Sequence, residues 1–80
     1  MGLYAMGRVV PRLPWPVVSR LIDTWIWSER NRSILKDKLY NDPTFEALAE
    51  KNNLSVQQTK TIVKESKAQL YSHIPSKYFS

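Results

Sequence analysis

The chain has 80 residues, carries a formal net charge of +5 at pH 7 and contains no cysteine. A chain of this length buries about 60% of the surface that its unfolded form exposes, enough for one compact core but not for a core and a deep substrate cleft. Large enzyme folds, a disulfide framework and a cysteine-based zinc site are therefore excluded, and with 42% hydrophobic residues we expect one small folded domain.

Residues 1–15 predict an irregular N-terminal arm, because they hold both glycines together with Pro11 and Pro14. The arm is too apolar for a free tail, so it packs on the domain or contacts a partner or a second copy. Arginines and prolines interrupt its apolar residues, and no segment approaches the roughly 20 apolar residues of a membrane span. We therefore expect a cytoplasmic chain with no membrane partner.

Two helices are predicted between Pro16 and Tyr40. Pro16 suits a first helical turn, and the apolar residues after it recur at three- and four-residue spacing. They are Val18, Leu21, Ile22, Trp25 and Ile26. Trp27 lies off this stripe and marks a turn, after which Ser28 predicts the N-cap of the second helix. The side chains of this helix that face the core are predicted to be Ile34, Leu35, Leu39 and the methylene stem of Lys38.

A stop at Asn41, Asp42 and Pro43 separates these helices from two more. Thr44 caps a short third helix with Phe45, Leu48 and Ala49 inward, which ends at Asn52 and Asn53. Ser55 and Gln58 then have the spacing of a capping box, which predicts a fourth helix to about Ser72.

This pattern predicts an all-α fold: one four-helix domain over 16–72, followed by a tail at 73–80 that folds back or frays. Its last two helices, at 44–70, have the layout of a helix-turn-helix.

The fourth helix has two different faces at about 100° per residue. One is suited to the core and holds Thr59, Ile62, Val63, Ser66 and Leu70. The opposite face holds Gln57, Lys60, Thr61 and Lys64, with Val56 and Lys67 at its edges. Amides and hydroxyls hydrogen-bond base edges, a valine methyl can touch a thymine methyl, and lysines neutralise phosphates. We therefore assign base contacts to Val56, Gln57 and Thr61, base or phosphate contacts to Lys60, and phosphate contacts to Lys64 and Lys67.

The charge distribution supports a polyanionic partner. Most of the excess positive charge lies in the last thirty residues, which contain five lysines and one acidic residue, Glu65. These lysines are Lys51, Lys60, Lys64, Lys67 and Lys77.

The segment from Glu29 to Leu70, ERNRSILKDKLYNDPTFEALAEKNNLSVQQTKTIVKESKAQL, resembles region four of bacterial sigma factors, their C-terminal DNA-binding region. The resemblance covers just over half of the chain and runs without a gap from Thr44. It implies a helix-turn-helix that docks on the upstream promoter element and contacts RNA polymerase. Carried over residue by residue, the base readers that it implies are Val56, Gln57, Lys60 and Thr61.

Three positions depart from the family pattern. Val56 stands where the family often has Arg, Thr59 where it has Val or Ile, and Asn53 where Gly is common. Fewer cations face the DNA, so we expect a different affinity or target sequence. Because 80 residues cannot also hold a promoter-melting domain, we expect a small regulator of the kind found on bacterial phages and mobile elements, or a piece of a longer factor.

The alternative function is a protein-interaction module that binds RNA polymerase or a second copy of the chain with little contact to DNA. Four aromatic residues support it, because Trp and Tyr are favoured interface anchors. They are Tyr4, Trp15, Trp25 and Trp27, and some of them could instead complete the core.

An enzyme is not expected, because the chain has one histidine, no cysteine and no Gly-rich phosphate loop. For the same reasons we predict no catalytic residue, no cofactor, no metal site and no small-molecule substrate.

Overall fold

The computed structural model describes residues 13–75, and within them the chain forms four α-helices and no strand. The helices are α1 (Trp15–Trp25), α2 (Glu29–Asn41), α3 (Phe45–Asn52) and α4 (Val56–Tyr71). The predicted all-α class and the order of four helices are confirmed. The predictions for most of the N-terminal arm, including Tyr4, and for the end of the tail lie outside the described residues.

The first helix begins one residue earlier than the sequence indicated. The carbonyl of Pro14 accepts hydrogen bonds from the backbone N–H groups of Val17 and Val18, at 3.1 and 3.2 Å. Because of these bonds, Trp15 and Pro16 are the first two residues of α1, and Trp15 does not belong to the arm. The Trp15 ring lies 5.0 Å, centroid to centroid, from that of Tyr40 on α2.

The larger of two hydrophobic clusters joins α1, α2 and α4. Its buried members are Val18, Ile22, Ile26, Leu35, Leu39, Leu70 and Ile74. Ile74 lies beyond the end of α4, so the first residues of the tail fold back onto the domain. Next to it, His73 stacks on Trp25 with ring centroids 3.6 Å apart and planes 6° from parallel.

The Arg32 side chain bridges the turn between α1 and α2. The guanidinium of Arg32 donates to the carbonyl oxygens of Ile26 at 2.9 Å and Trp27 at 2.8 Å. Ser28 caps α2 as predicted, accepting from the backbone N–H of Asn31 at 3.3 Å. The turn is thereby fixed, while the Trp27 side chain remains 86% exposed.

The smaller cluster joins α2, α3 and α4 through Ile34, Leu48 and Val63. Three partly buried residues pack around it: Phe45, Leu54 and Ile62. This second cluster sets how α3 and α4 lie on α2, and so which side of α4 faces outward.

Candidate nucleic-acid interface

The turn from α3 to α4 has a defined hydrogen-bonding pattern. Asn53 adopts the left-handed conformation, with φ 59° and ψ 44°. The N–H of Leu54 then donates to the carbonyl of Ala49 at 2.9 Å, and that of Asn53 to Glu50 at 3.2 Å. This is the Schellman arrangement, which satisfies the last carbonyls of a helix. With Leu54 packed on the smaller cluster, the start of α4 is fixed relative to α3.

The first turn of α4 is equally constrained. The Ser55 hydroxyl accepts from the backbone N–H of Gln58 at 3.0 Å, and the Gln58 side chain accepts from the backbone N–H of Ser55 at 3.1 Å. The predicted capping box is therefore present. It commits the Gln58 side chain to the cap, so Gln57 and Thr61 are the exposed uncharged polar residues of the first two turns that lie outside the cap.

One flank of α4 carries three lysines, which we call the lysine flank: Lys60, Lys64 and Lys67. Lys60 and Lys64 are exposed, and Lys67 is half-buried. Within residues 13–75, none of the three has a carboxylate within 4.0 Å.

The other described lysines differ in this respect. Lys36 pairs with Asp23 at 2.7 Å, Lys38 with Asp42 at 3.0 Å, and Lys51 with Asp37 at 2.9 Å. Among the described lysines, the ones without a close counter-charge thus all lie on α4, where they attract an anionic partner.

The lysine flank borders a groove between α3 and α4 with a volume of about 350 Å³. Besides the three lysines, it is lined by Phe45, Val63, Ala68 and Tyr71. The ammonium groups of Lys38 and Lys60 lie 4.4 and 5.8 Å from the centroid of the Phe45 ring. We call this feature the α3–α4 groove.

The other flank of α4 brings in a residue that the sequence analysis missed. Arg30, near the start of α2, lines a shallow pocket of about 270 Å³ together with Gln57 and Thr61. Its side chain is exposed and donates to the amide oxygen of Asn31 at 3.3 Å. Arg30 lies far from α4 in the sequence, so no spacing rule links them. Only the packing of α2 against α4 places a guanidinium beside the predicted base readers.

The predicted site residues fall into two groups. Gln57, Lys60, Thr61 and Lys64 are exposed on α4, whereas Val56 and Lys67 are half-buried at its edges. Among the predicted partner-binding residues, Trp15 packs against the larger cluster, Trp25 stacks on His73, and Trp27 is the most exposed.

No family model, no curated protein and no solved structure matches this chain. Within residues 13–75, no helix combines the length and the apolar character needed to cross a membrane. The same part of the chain contains no group of three or more His, Asp or Glu side chains placed to hold a metal ion.

Proposed function

We propose that the chain is a sequence-specific double-stranded DNA-binding protein that regulates transcription, with α4 as its recognition helix. The observation that carries the proposal is the contrast between the lysines. Those elsewhere in residues 13–75 pair with aspartates, whereas the lysine flank has no carboxylate within ion-pair distance. Lysines that neutralise phosphates supply the sequence-independent part of duplex binding. The resemblance of 29–70 to sigma region four adds the helix-turn-helix context and the link to transcription.

In this proposal, the two flanks of α4 have different tasks. The N-terminal part of the helix enters the major groove, where Gln57 and Thr61 hydrogen-bond base edges and Val56 contacts a thymine methyl. Lys60 and Lys64 reach the phosphates on one side of the groove, with Lys67 further along the backbone. Arg30 lies on the other side, within reach of a phosphate or a guanine edge.

The rigid start of α4 supports this assignment. The Schellman turn and the capping box fix the first helical turn on both sides. Side chains that read bases need such support, because small displacements break bidentate hydrogen bonds.

The test is selection of a randomised duplex library by the purified chain at two salt concentrations, followed by sequencing of the bound duplexes. A recovered motif that persists at the higher salt supports sequence-specific binding. Weak binding that falls steeply with salt and enriches no sequence would contradict it.

A second candidate function is a protein-interaction module that binds RNA polymerase or a second copy of the chain. One observation favours it: Trp27 is 86% exposed on a turn that Arg32 holds in place. A large aromatic side chain presented on a rigid turn is a typical interface anchor. This surface lies outside α4, so the two functions are compatible in one protein.

A further inference from the structure

The α3–α4 groove has a feature that duplex binding does not use. Phosphates need only the ammonium groups of the lysine flank. Yet these groups border a floor made of Val63, Ala68 and the ring of Phe45. An apolar floor beneath three lysines is suited to an anion that also carries an apolar group.

The groove sets the size of that group. Its volume of about 350 Å³ lies at the lower end of the range for ligand pockets. It accommodates one large side chain, not an extended apolar surface. The rim is cationic along α4, so the residues on either side of that side chain must be acidic.

We propose that the α3–α4 groove binds an acidic peptide segment of a partner protein, with one large apolar side chain on the floor and carboxylates on the lysine flank. Charge complementarity selects the peptide, because the three lysines have no carboxylate within 4.0 Å in residues 13–75. The apolar floor selects its anchor residue. The bound segment covers Lys60, Lys64 and Lys67.

This binding has a regulatory consequence that rests on the proposed function. The lysines that hold the peptide are the ones assigned to DNA phosphates. A partner with such a segment therefore competes with duplex DNA for α4, and releases the chain from DNA without any change in its fold.

The test uses a fluorescein-labelled synthetic peptide with one Phe flanked on both sides by Asp and Glu, titrated with the full chain in the absence of DNA. The control peptide has Ser in place of Phe. We expect the Phe peptide to bind about tenfold more tightly, since burial of an aromatic side chain is worth more than one factor of ten in affinity. Equal affinity of the two peptides would show attraction of any polyanion and would overturn the proposal.

A pair of variants locates the binding. Ala68→Gln covers the floor with a polar side chain without changing the charge, whereas Ala47→Gln makes the same exposed substitution on α3 outside the groove. We expect the first to remove the tenfold preference and the second to keep it. A preference unchanged in Ala68→Gln would contradict the proposal.

Amide chemical shifts of the ¹⁵N-labelled wild-type chain give a measurement that needs no variant. Shifts on addition of the Phe peptide should concentrate at Phe45, Lys64 and Ala68, and shifts located elsewhere would overturn the assignment. A separate competition with a labelled duplex tests the regulatory consequence. If the chain fails to bind DNA, the proposed function fails, while the peptide titrations still decide whether the groove is a docking site.

Discussion

Thr59 donates its hydroxyl to the carbonyl oxygen of Ser55 at 2.9 Å, at a position where Thr59 is fully buried. The same carbonyl also accepts the backbone N–H of Thr59, at 3.0 Å. A polar residue therefore faces the core without an unpaired hydroxyl, which explains how a threonine is accommodated among the buried residues of α4.

The first prediction concerns this residue. Thr59→Val keeps the shape of the side chain, and the Ser55 carbonyl still accepts a backbone N–H, so no buried group loses its last partner. We expect the free energy of unfolding to stay within about 1 kcal/mol of the original value. Thr59→Ala also removes a buried methyl group and should cost about 1 kcal/mol or more. Urea denaturation measures the free energy of unfolding of both variants. A larger loss of stability in Thr59→Val than in Thr59→Ala would contradict the assigned role of the hydroxyl.

Local features of the chain were predictable from sequence, and features that depend on packing were not. The caps at Ser28, Thr44 and Ser55 involve groups only three residues apart, so the sequence contains all that determines them. The placement of Arg30 beside Gln57 depends on how α2 packs against α4.

The distribution of paired and unpaired charges also depends on packing and was not predictable from the sequence. The sequence shows an excess of lysine at its end, but not which lysines meet an aspartate. The Lys51–Asp37 pair joins α3 to α2 and so removes one lysine from the apparent basic surface. The α3–α4 groove likewise depends on the packing of Phe45 against α4, which periodicity within either helix does not reveal.

The second prediction concerns the Lys51–Asp37 pair. Burial raises the pKa of Asp37, but hydrogen bonds from Asn41 and Lys51 and the charge of Lys51 outweigh it and hold the pKa below its ordinary value of 3.8. A carboxyl whose pKa is lower in the folded state stabilises the fold above its unfolded pKa, and this stabilisation is lost as the pH falls through the folded value.

Asp37→Asn should therefore cost about 0.5–1 kcal/mol at neutral pH, a modest amount because Lys51 is largely exposed. The cost should disappear in acid as Asp37 of the original chain becomes protonated. Urea denaturation of both proteins across this pH range provides the measurement. In a Lys51→Gln background the substitution should cost less at neutral pH, and an unchanged cost would show that Lys51 does not contribute.

The third prediction tests the lysine flank. Lys60→Ala and Lys64→Ala should each weaken binding to all duplexes and lower the slope of log affinity against log salt by about one. Lys51→Ala is the matched control, because this lysine is also exposed but pairs with Asp37. Fluorescence anisotropy with one labelled duplex at several salt concentrations gives the slopes. Slopes that are equal in all three variants would remove the lysine flank from the interface.

The fourth prediction separates base readers from phosphate contacts. Gln57→Ala and Thr61→Ala should each relax sequence choice at one position of the selected motif, at a cost of about 1–3 kcal/mol for the preferred duplex. Arg30→Ala distinguishes the two tasks open to that residue. A uniform loss over all duplexes assigns it to phosphate, and a loss confined to one base pair assigns it to a base edge. If the Gln57 and Thr61 variants select the original motif unchanged, α4 does not read the groove in the proposed orientation.

The fifth prediction concerns Trp27. Its side chain is 86% exposed, so Trp27→Ala should change the free energy of unfolding by no more than about 0.5 kcal/mol. Trp25→Ala is the contrasting variant, because it removes the ring that stacks on His73 at 3.6 Å and should lower stability.

If Trp27 is an interface anchor, its loss weakens self-association or binding to core RNA polymerase while duplex affinity stays unchanged. Sedimentation equilibrium and binding to immobilised polymerase measure these effects. The same oligomeric state and the same polymerase binding in wild type and Trp27→Ala would rule out the interaction module at this turn.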